Sequence, residues 1–290
     1  MLDYIFPRVC PFCESISKDW RVCNSCLSRI RFVGGGSICL KCGVPFDFAD
    51  IPDPDANPFK SAASSVALNN ISEEQEDADA LNICRWRPCT HHRRASDNER
   101  PDGVAPTTIH GHLCGECLLG GFNFERARSV AFYDGLLRDI LHKFKYEGKL
   151  KFGGALSSIM IENFPDDLDA PDVIIPVPLY IGRLRQREYN QSVVLGENLS
   201  KYLRVSFTPF VLKRLRDTKP QFEIKSEEEK RRNVRGAFSI ENSEEIKQKS
   251  VLLIDDVFTT GSTIDECSMA LLDSGASRVQ VVTLMRAVQI

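Results

Sequence analysis

Residues 250–264 read SVLLIDDVFTTGSTI, and no other stretch restricts the possible folds as strongly. A buried strand, Val251–Ile254, runs into two adjacent carboxylates, Asp255 and Asp256. A hydroxyl-rich loop follows, Thr259-Thr260-Gly261-Ser262-Thr263, and then a helix over 263–274. An apolar run with no polar alternation belongs in a parallel sheet covered on both faces. Ligands of such sheets bind beyond the carboxyl ends of the strands. A loop that opens a helix there gathers backbone amides, hydroxyls and the positive end of the helix dipole around one phosphate. Gly261 is expected to let the backbone approach that ligand. The loop has no lysine, so the nucleoside-triphosphate pattern fails, as does the dinucleotide fingerprint. A monophosphate beside a hydroxylated sugar fits, with Asp255 and Asp256 accepting from vicinal hydroxyls.

The rest of the C-terminal region repeats the alternation. Strands are expected at 129–133, 172–179, 207–215, 237–240, 250–255 and 278–285. Helices are expected at 135–146, 151–163, 189–203 and 226–233. This is an α/β pattern with a parallel sheet and helices on both faces. The 290 residues can bury one good core beside a small second module. A net charge of −3 gives no global electrostatic case for nucleic acid, so basic surface must be local.

Eleven cysteines accompany that pattern. Eight form Cys-x-x-Cys pairs: Cys10/Cys13, Cys23/Cys26, Cys39/Cys42 and Cys114/Cys117. Two intervening residues let both thiolates reach one tetrahedral ion, and two pairs complete a closed site. The pairs predict structural Zn²⁺, one ion or two, with sequential pairing preferred and interleaved pairing open. Residues 43–113 separate the last two pairs, which weakens the case for the second ion. Cys84, Cys89, His91 and His92 lie in that interval and offer metal-ligand atoms, but their spacing matches no trusted ligand motif and an incidental cluster is the preferred reading. The segment 47–110 is polar and aperiodic and reads as a disordered or poorly packed insertion. Neither a signal peptide nor an apolar span of bilayer length is legible, so a cytoplasmic location without membrane insertion is expected.

The basic residues cluster. IPVPLYIGRLRQREYNQS carries Arg183, Arg185 and Arg187, whose alternate spacing suggests a loop aimed at a polyanion rather than one helical face. DTKPQ holds Lys219, LKRLR holds Arg214 and Arg216, and RRNVRGAF holds Arg231, Arg232 and Arg235. Together with LHKFKYEGK (141–149) and LLIDDVFTTGST, these segments resemble the ComF-type competence family, a double zinc ribbon joined to a type I phosphoribosyltransferase domain. The LLIDDVFTTGST stretch itself resembles the phosphoribosyl-diphosphate (PRPP) motif of type I phosphoribosyltransferases. The resemblance covers residues 1–46 and 111–290.

It implies a zinc ribbon at 1–46 and 111–128 and a phosphoribosyltransferase-like domain at 129–290. It also implies that Thr259, Thr260, Gly261, Ser262 and Thr263 hold the 5-phosphate, while Asp255 and Asp256 face the ribose hydroxyls. A strained loop at Ile175–Leu179, with Val177 at its centre, would grip diphosphate. Arg183, Arg187 and Arg231 are then the choices for the leaving group, Lys219 a mobile-loop partner, and Mg²⁺ the bridging cation. Tyr189 and Asn190 are expected beside the diphosphate loop, His142 on a helix surface or in the core, and Cys267 in the core. The implied reaction is transfer of phosphoribosyl to a nitrogen nucleophile in a cell that takes up DNA. The rival reading is a non-catalytic PRPP sensor that contacts single-stranded DNA or an uptake helicase. A zinc ribbon on an inert scaffold is a third reading, opposed by the intact loop.

Overall fold

The computed structural model describes residues 8–17, 21–34, 37–46, 112–218, 224 and 226–288. The insertion with Cys84, Cys89, His91 and His92, together with Lys219 and Phe222, lies outside them.

Five parallel strands form the main sheet in the order β1-β7-β6-β2-β3. They are β1 (Arg126–Phe132), β2 (Val173–Pro176), β3 (Ser206–Phe207), β6 (Ser250–Phe258) and β7 (Arg278–Arg286). Strands β4 (Leu212–Arg214) and β5 (Phe238–Ile240) make a separate antiparallel pair. The apolar run expected at 207–215 is therefore two strands in different sheets, divided at Pro209, whose missing N–H suits a sheet break. β2 is shorter than expected, ending at Pro176. β6 is longer and carries both aspartates inside the strand, because Asp255 and Val257 stay in register with Thr283 and Met285 of β7.

The helices are α1 (Asn24–Leu27), α2 (Gly115–Leu118), α3 (Gly135–Tyr146), α4 (Lys151–Glu162), α5 (Ile181–Arg187), α6 (Gln191–Leu203), α7 (Glu227–Val234) and α8 (Ser262–Asp273). α3 buries Leu137, Ile140, Leu141 and Phe144, the spacing of a one-sided amphipathic helix. α6 packs against β2, β3 and β6, where Gly196 lets it approach Phe207 and Ile254; a Cβ there would sit 2.8 and 3.1 Å from their side chains. The opposite face of the sheet presents Val173, Ile175, Val251, Leu253, Val279 and Val281. That face is covered by Ile264, Cys267 and Leu271 of α8 and by Cys39, Cys42 and Cys117. Cys267 is thus a core residue, fully buried, its pKa raised by burial.

The cysteine-rich segments are joined to this sheet through β1. Phe32 makes an antiparallel bridge to Ala131, Val33 N donates to Val130 O at 2.9 Å, and Ala127 N donates to Lys41 O at 2.7 Å. Arg128, 5% exposed, donates to the Leu40 carbonyl at 3.0 Å and pairs with Asp167. The same strand edge thus supports both the α/β layer and the cysteine-rich head.

Candidate functional site

The carboxyl ends of β2 and β6 border a cavity of about 390 Å³, with α5, α6, the end of α3 and the start of α8 around it. Asp255 and Asp256 lie on its floor. Ser192 Oγ donates to Asp255 at 2.8 Å, and Lys145 Nζ donates to Asp256 at 2.8 Å. Burial and the adjacent Asp256 charge raise the Asp255 pKa to about 7. The cationic lining is Lys145, Arg183, Arg187 and Arg214. Burial, followed by the charge of Arg183, lowers the Arg214 pKa. Crowded, partly desolvated cations of this kind are stabilised by an anion.

Arg183 and Arg187 reach the cavity from a helix, not from a loop. Tyr180, in an extended conformation, starts α5, and Glu188 at φ 67° ends it. Four residues apart, the two arginines share one side, while Arg185 is exposed and away from the lining. Arg187 donates to Gln191 at 3.2 Å and to the Tyr146 hydroxyl at 3.0 Å, with its guanidinium 4.8 Å from the Tyr146 ring centre. Arg183 donates to the Thr218 carbonyl and lies 3.5 Å from Asp217. Arg231 is placed elsewhere: exposed on α7, it pairs with Glu116 of α2 at 2.6 Å. It is not among the residues that line the cavity.

The segment after β2 is held by side chains. Asn190 caps α6 by accepting from Ser192 N at 3.0 Å and donates to the Val177 carbonyl at 2.9 Å. Val177 N donates to Ile254 O at 2.9 Å. Val177, Pro178 and Leu179 line the cavity. This segment has no residue in the left-handed region, and among the described residues no peptide bond is cis. Tyr189 donates to the Phe144 carbonyl and meets that ring in a tilted arrangement, with the ring centres 5.2 Å apart. His142 is exposed on α3 beside Tyr146.

Of the hydroxyl loop, Thr259, Gly261 and Thr263 line the cavity. The Thr260 and Ser262 hydroxyls instead face each other at 2.8 Å, and Ser262 is buried. Gly261 lines the cavity and is also required by packing. It has φ 80°, and a Cβ would stand 2.7 Å from Phe258 and 2.8 Å from Phe122. The loop therefore rests on an aromatic floor.

Sequence reasoning passed over Lys145 and Ser192 as individual site residues. Lys145 follows the buried Phe144 directly, at the edge of the apolar stripe of α3, a position from which a long side chain can turn toward the sheet.

The eight paired cysteines gather in two tetrads, Cys10/Cys13/Cys23/Cys26 and Cys39/Cys42/Cys114/Cys117. Sulfur separations of 3.9 Å (Cys10–Cys26), 3.6 Å (Cys13–Cys23) and 3.6 Å (Cys42–Cys114) match the edge of a tetrahedron with Zn–S near 2.3 Å, about 3.8 Å. The two sites repeat one backbone pattern. Cys10 N donates to Ser15 O and Cys39 N to Val44 O; Glu14 N donates to Cys10 O and Gly43 N to Cys39 O. Glu14 and Gly43 both have positive φ, 61° and 70°. Cys23 N and Cys114 N each donate to a sulfur of the partner pair, Cys10 at 3.4 Å and Cys39 at 3.3 Å. Hydrogen bonds from Ser15 lower the Cys13 pKa to about 6. At Cys39, burial is outweighed by backbone amides led by Cys114, which bring the pKa to about 6. Burial instead raises the Cys26, Cys42 and Cys117 thiols, Cys42 to about 11, so an ion bound there displaces protons from part of each tetrad.

Two families match the chain: a double zinc ribbon domain over residues 1–56 and a phosphoribosyl transferase domain over residues 190–289. The DNA utilization protein YhgH of Escherichia coli O157:H7 is 33% identical over 215 residues, 71% of this chain and 93% of that protein. Competence protein F of Haemophilus influenzae is 33% identical over 180 residues, 60% of this chain and 78% of its own. An adenine phosphoribosyltransferase structure from Leishmania tarentolae is similar over 49% of this chain and 73% of its own, with 13% identity and a TM-score of 0.30. With both modules present and the likeness running over 93% of the YhgH protein, this chain belongs to the ComF-type competence family, a double zinc ribbon on a phosphoribosyltransferase-type domain.

Proposed function

We propose that the cavity binds PRPP with Mg²⁺ and transfers the 5-phosphoribosyl group to a nitrogen nucleophile, in the service of DNA uptake or utilisation. The observation that carries this reading is the convergence of two carboxylates, four cations and the start of α8 on one cavity. The 5-phosphate lies against the loop of Thr259, Thr260, Gly261, Ser262 and Thr263. Asp255 and Asp256 accept from the ribose 2- and 3-hydroxyls. The diphosphate meets Arg183, Arg187 and Arg214 beside Val177, with Lys145 between it and Asp256. Arg231 is left out of this set, and Lys219 is retained as a partner from the segment beyond Thr218.

The acceptor nitrogen donates its lone pair to C1, the C1–O bond breaks, and its electron pair leaves with diphosphate; the nitrogen then releases its proton. Because the departing group carries the charge, placing cations around it accounts for most of the acceleration. Oxygen donors of Asp255 and Asp256 suit Mg²⁺ held mainly by the oxygens of the substrate, and the ion supplies further neutralisation of the diphosphate.

The same reading divides the chain into a double zinc ribbon (1–46 and 111–128), an insertion (47–110) and the phosphoribosyltransferase-like domain (129–290). Each tetrad holds a structural Zn²⁺. Among the described residues no helix is long and apolar enough to cross a membrane, and we place the protein in the cytoplasm. Incubation with PRPP, Mg²⁺ and a panel of amines, following diphosphate release, tests the proposal. Acceptor-dependent release is expected. Saturable binding with no release from any acceptor identifies a PRPP sensor that contacts the uptake helicase or single-stranded DNA.

A further inference from the structure

Arg286 closes β7 and is 6% exposed. Among the described residues no carboxylate pairs with it. Its Nη1 donates to the Cys42 carbonyl at 2.6 Å, and its Nη2 lies 3.7 Å from Cys42 Sγ. A buried guanidinium without a counter-charge is strongly disfavoured. Four thiolates around a divalent ion form a dianion, the counter-charge this position lacks. The guanidinium carbon also lies over the Phe258 ring, 4.4 Å from its centre. Phe258 meets Phe122 edge-on at 6.0 Å, and these are the two rings against which Gly261 is packed. Phe122 belongs to the segment that leaves the second tetrad at Cys117. One residue further, Asn123 donates twice to Asp265 in the first turn of α8, at 2.6 and 2.9 Å.

We infer that Arg286 is a positioning residue that couples occupancy of the second Cys₄ site to the shape of the hydroxyl loop at 259–263. Among the described residues the first tetrad has no such link to the loop: Cys13 is exposed, the hydrogen bonds of its sulfurs stay within its own segment, and its turn reaches α4 instead, through Glu14 to Lys151 and Phe12 to Phe152. The two zinc ions thus have different consequences. The first orders the head, and the second holds the floor beneath the phosphate loop. The coupling rests on the proposed function only for its effect on PRPP.

Four variants of the full chain, each prepared in the presence of zinc, separate these roles: Arg286→Met, Arg286→Lys, Cys114→Ser and Cys13→Ser. Hydrogen–deuterium exchange over residues 258–265 is the primary readout, with zinc content by elemental analysis and PRPP affinity by calorimetry. Arg286→Met and Cys114→Ser are expected to speed exchange in that loop. Arg286→Met weakens zinc retention at the second site roughly 10–100-fold. Both weaken PRPP binding roughly tenfold or more. Cys13→Ser loses zinc and leaves loop exchange at the wild-type rate. Arg286→Lys keeps the charge but not the planar stack, so it restores zinc more than it restores loop protection.

Should Arg286→Met fail to fold, stepwise zinc removal from the wild type by a chelator carries the test. Loop exchange must rise only as the second ion leaves. Unchanged exchange on that loss, or an equal rise on loss of either ion, overturns the coupling. Absence of PRPP binding by the wild type overturns the proposed substrate and leaves the exchange result to decide the coupling.

Discussion

Lys145 Nζ stands 2.8 Å from Asp256 Oδ1, and the two side chains are only 18% and 12% exposed. The last turn of α3 thus puts a cation against the carboxylate expected to hold the ribose. Replacing Lys145 by Met leaves Asp256 without its partner next to a second acid. Loss of about 1–3 kcal/mol of stability is expected, read as a lowered urea midpoint. PRPP affinity should fall roughly tenfold or more, since a cation beside the diphosphate goes with it.

Asp255 carries a pH signature. Its folded pKa, raised to about 7, lies above the unfolded value near 3.9. Between those values the native state holds a proton that the unfolded chain has released. Stability is therefore highest below about pH 4 for this group and declines as pH rises toward 7. Asp255→Asn removes that slope, so the variant is expected to be more stable than wild type at pH 8 and to converge with it in acid. Chemical denaturation at pH 5 and pH 8 reads the difference. A slope retained in the variant places the titration on another group.

Gly261→Ala meets two obstacles, a φ of 80° and the two rings beneath it. The backbone cost is about 1–2 kcal/mol, and the contacts with Phe258 and Phe122 add to it. A drop of several degrees in melting temperature is expected, together with loss of PRPP binding, because relief of the contact displaces the loop that lines the cavity.

The arginines of α5 should divide by face. Arg187→Met is expected to lower kcat/KM for diphosphate release roughly 100-fold. Arg185→Met and Arg231→Met change it by no more than about twofold, since those residues lie outside the cavity. A large effect of Arg231→Met would return it to the site.

Much of the sheet was legible because Val251–Ile254 and Ile174–Ile175 are apolar without alternation, as two-sided burial demands. The order Cys10/Cys13 with Cys23/Cys26, then Cys39/Cys42 with Cys114/Cys117, was the preferred reading of the sequence but not the only one, because adjacency across residues 43–113 depends on the β1 edge. Arg183 and Arg187 were legible as anion partners but not as a helix pair, because IGRLRQR has no apolar stripe and its ends are set by Tyr180 and Glu188 conformations. Lys145 was hidden by the rule that a charge beside an apolar stripe is solvated; only the packing of α3 over the end of β6 turns it inward. The floor under Gly261 was hidden too, since Phe122 comes from a segment far away in sequence.

Isothermal calorimetry of the zinc-loaded protein with PRPP and Mg²⁺ tests the central claim most directly. Saturable heat at one site per chain is expected, abolished when Asp255 and Asp256 are both changed to Ala while both zinc ions are retained. No heat from the wild type, or the same isotherm from the double variant, would contradict the assignment of this cavity to a phosphorylated sugar.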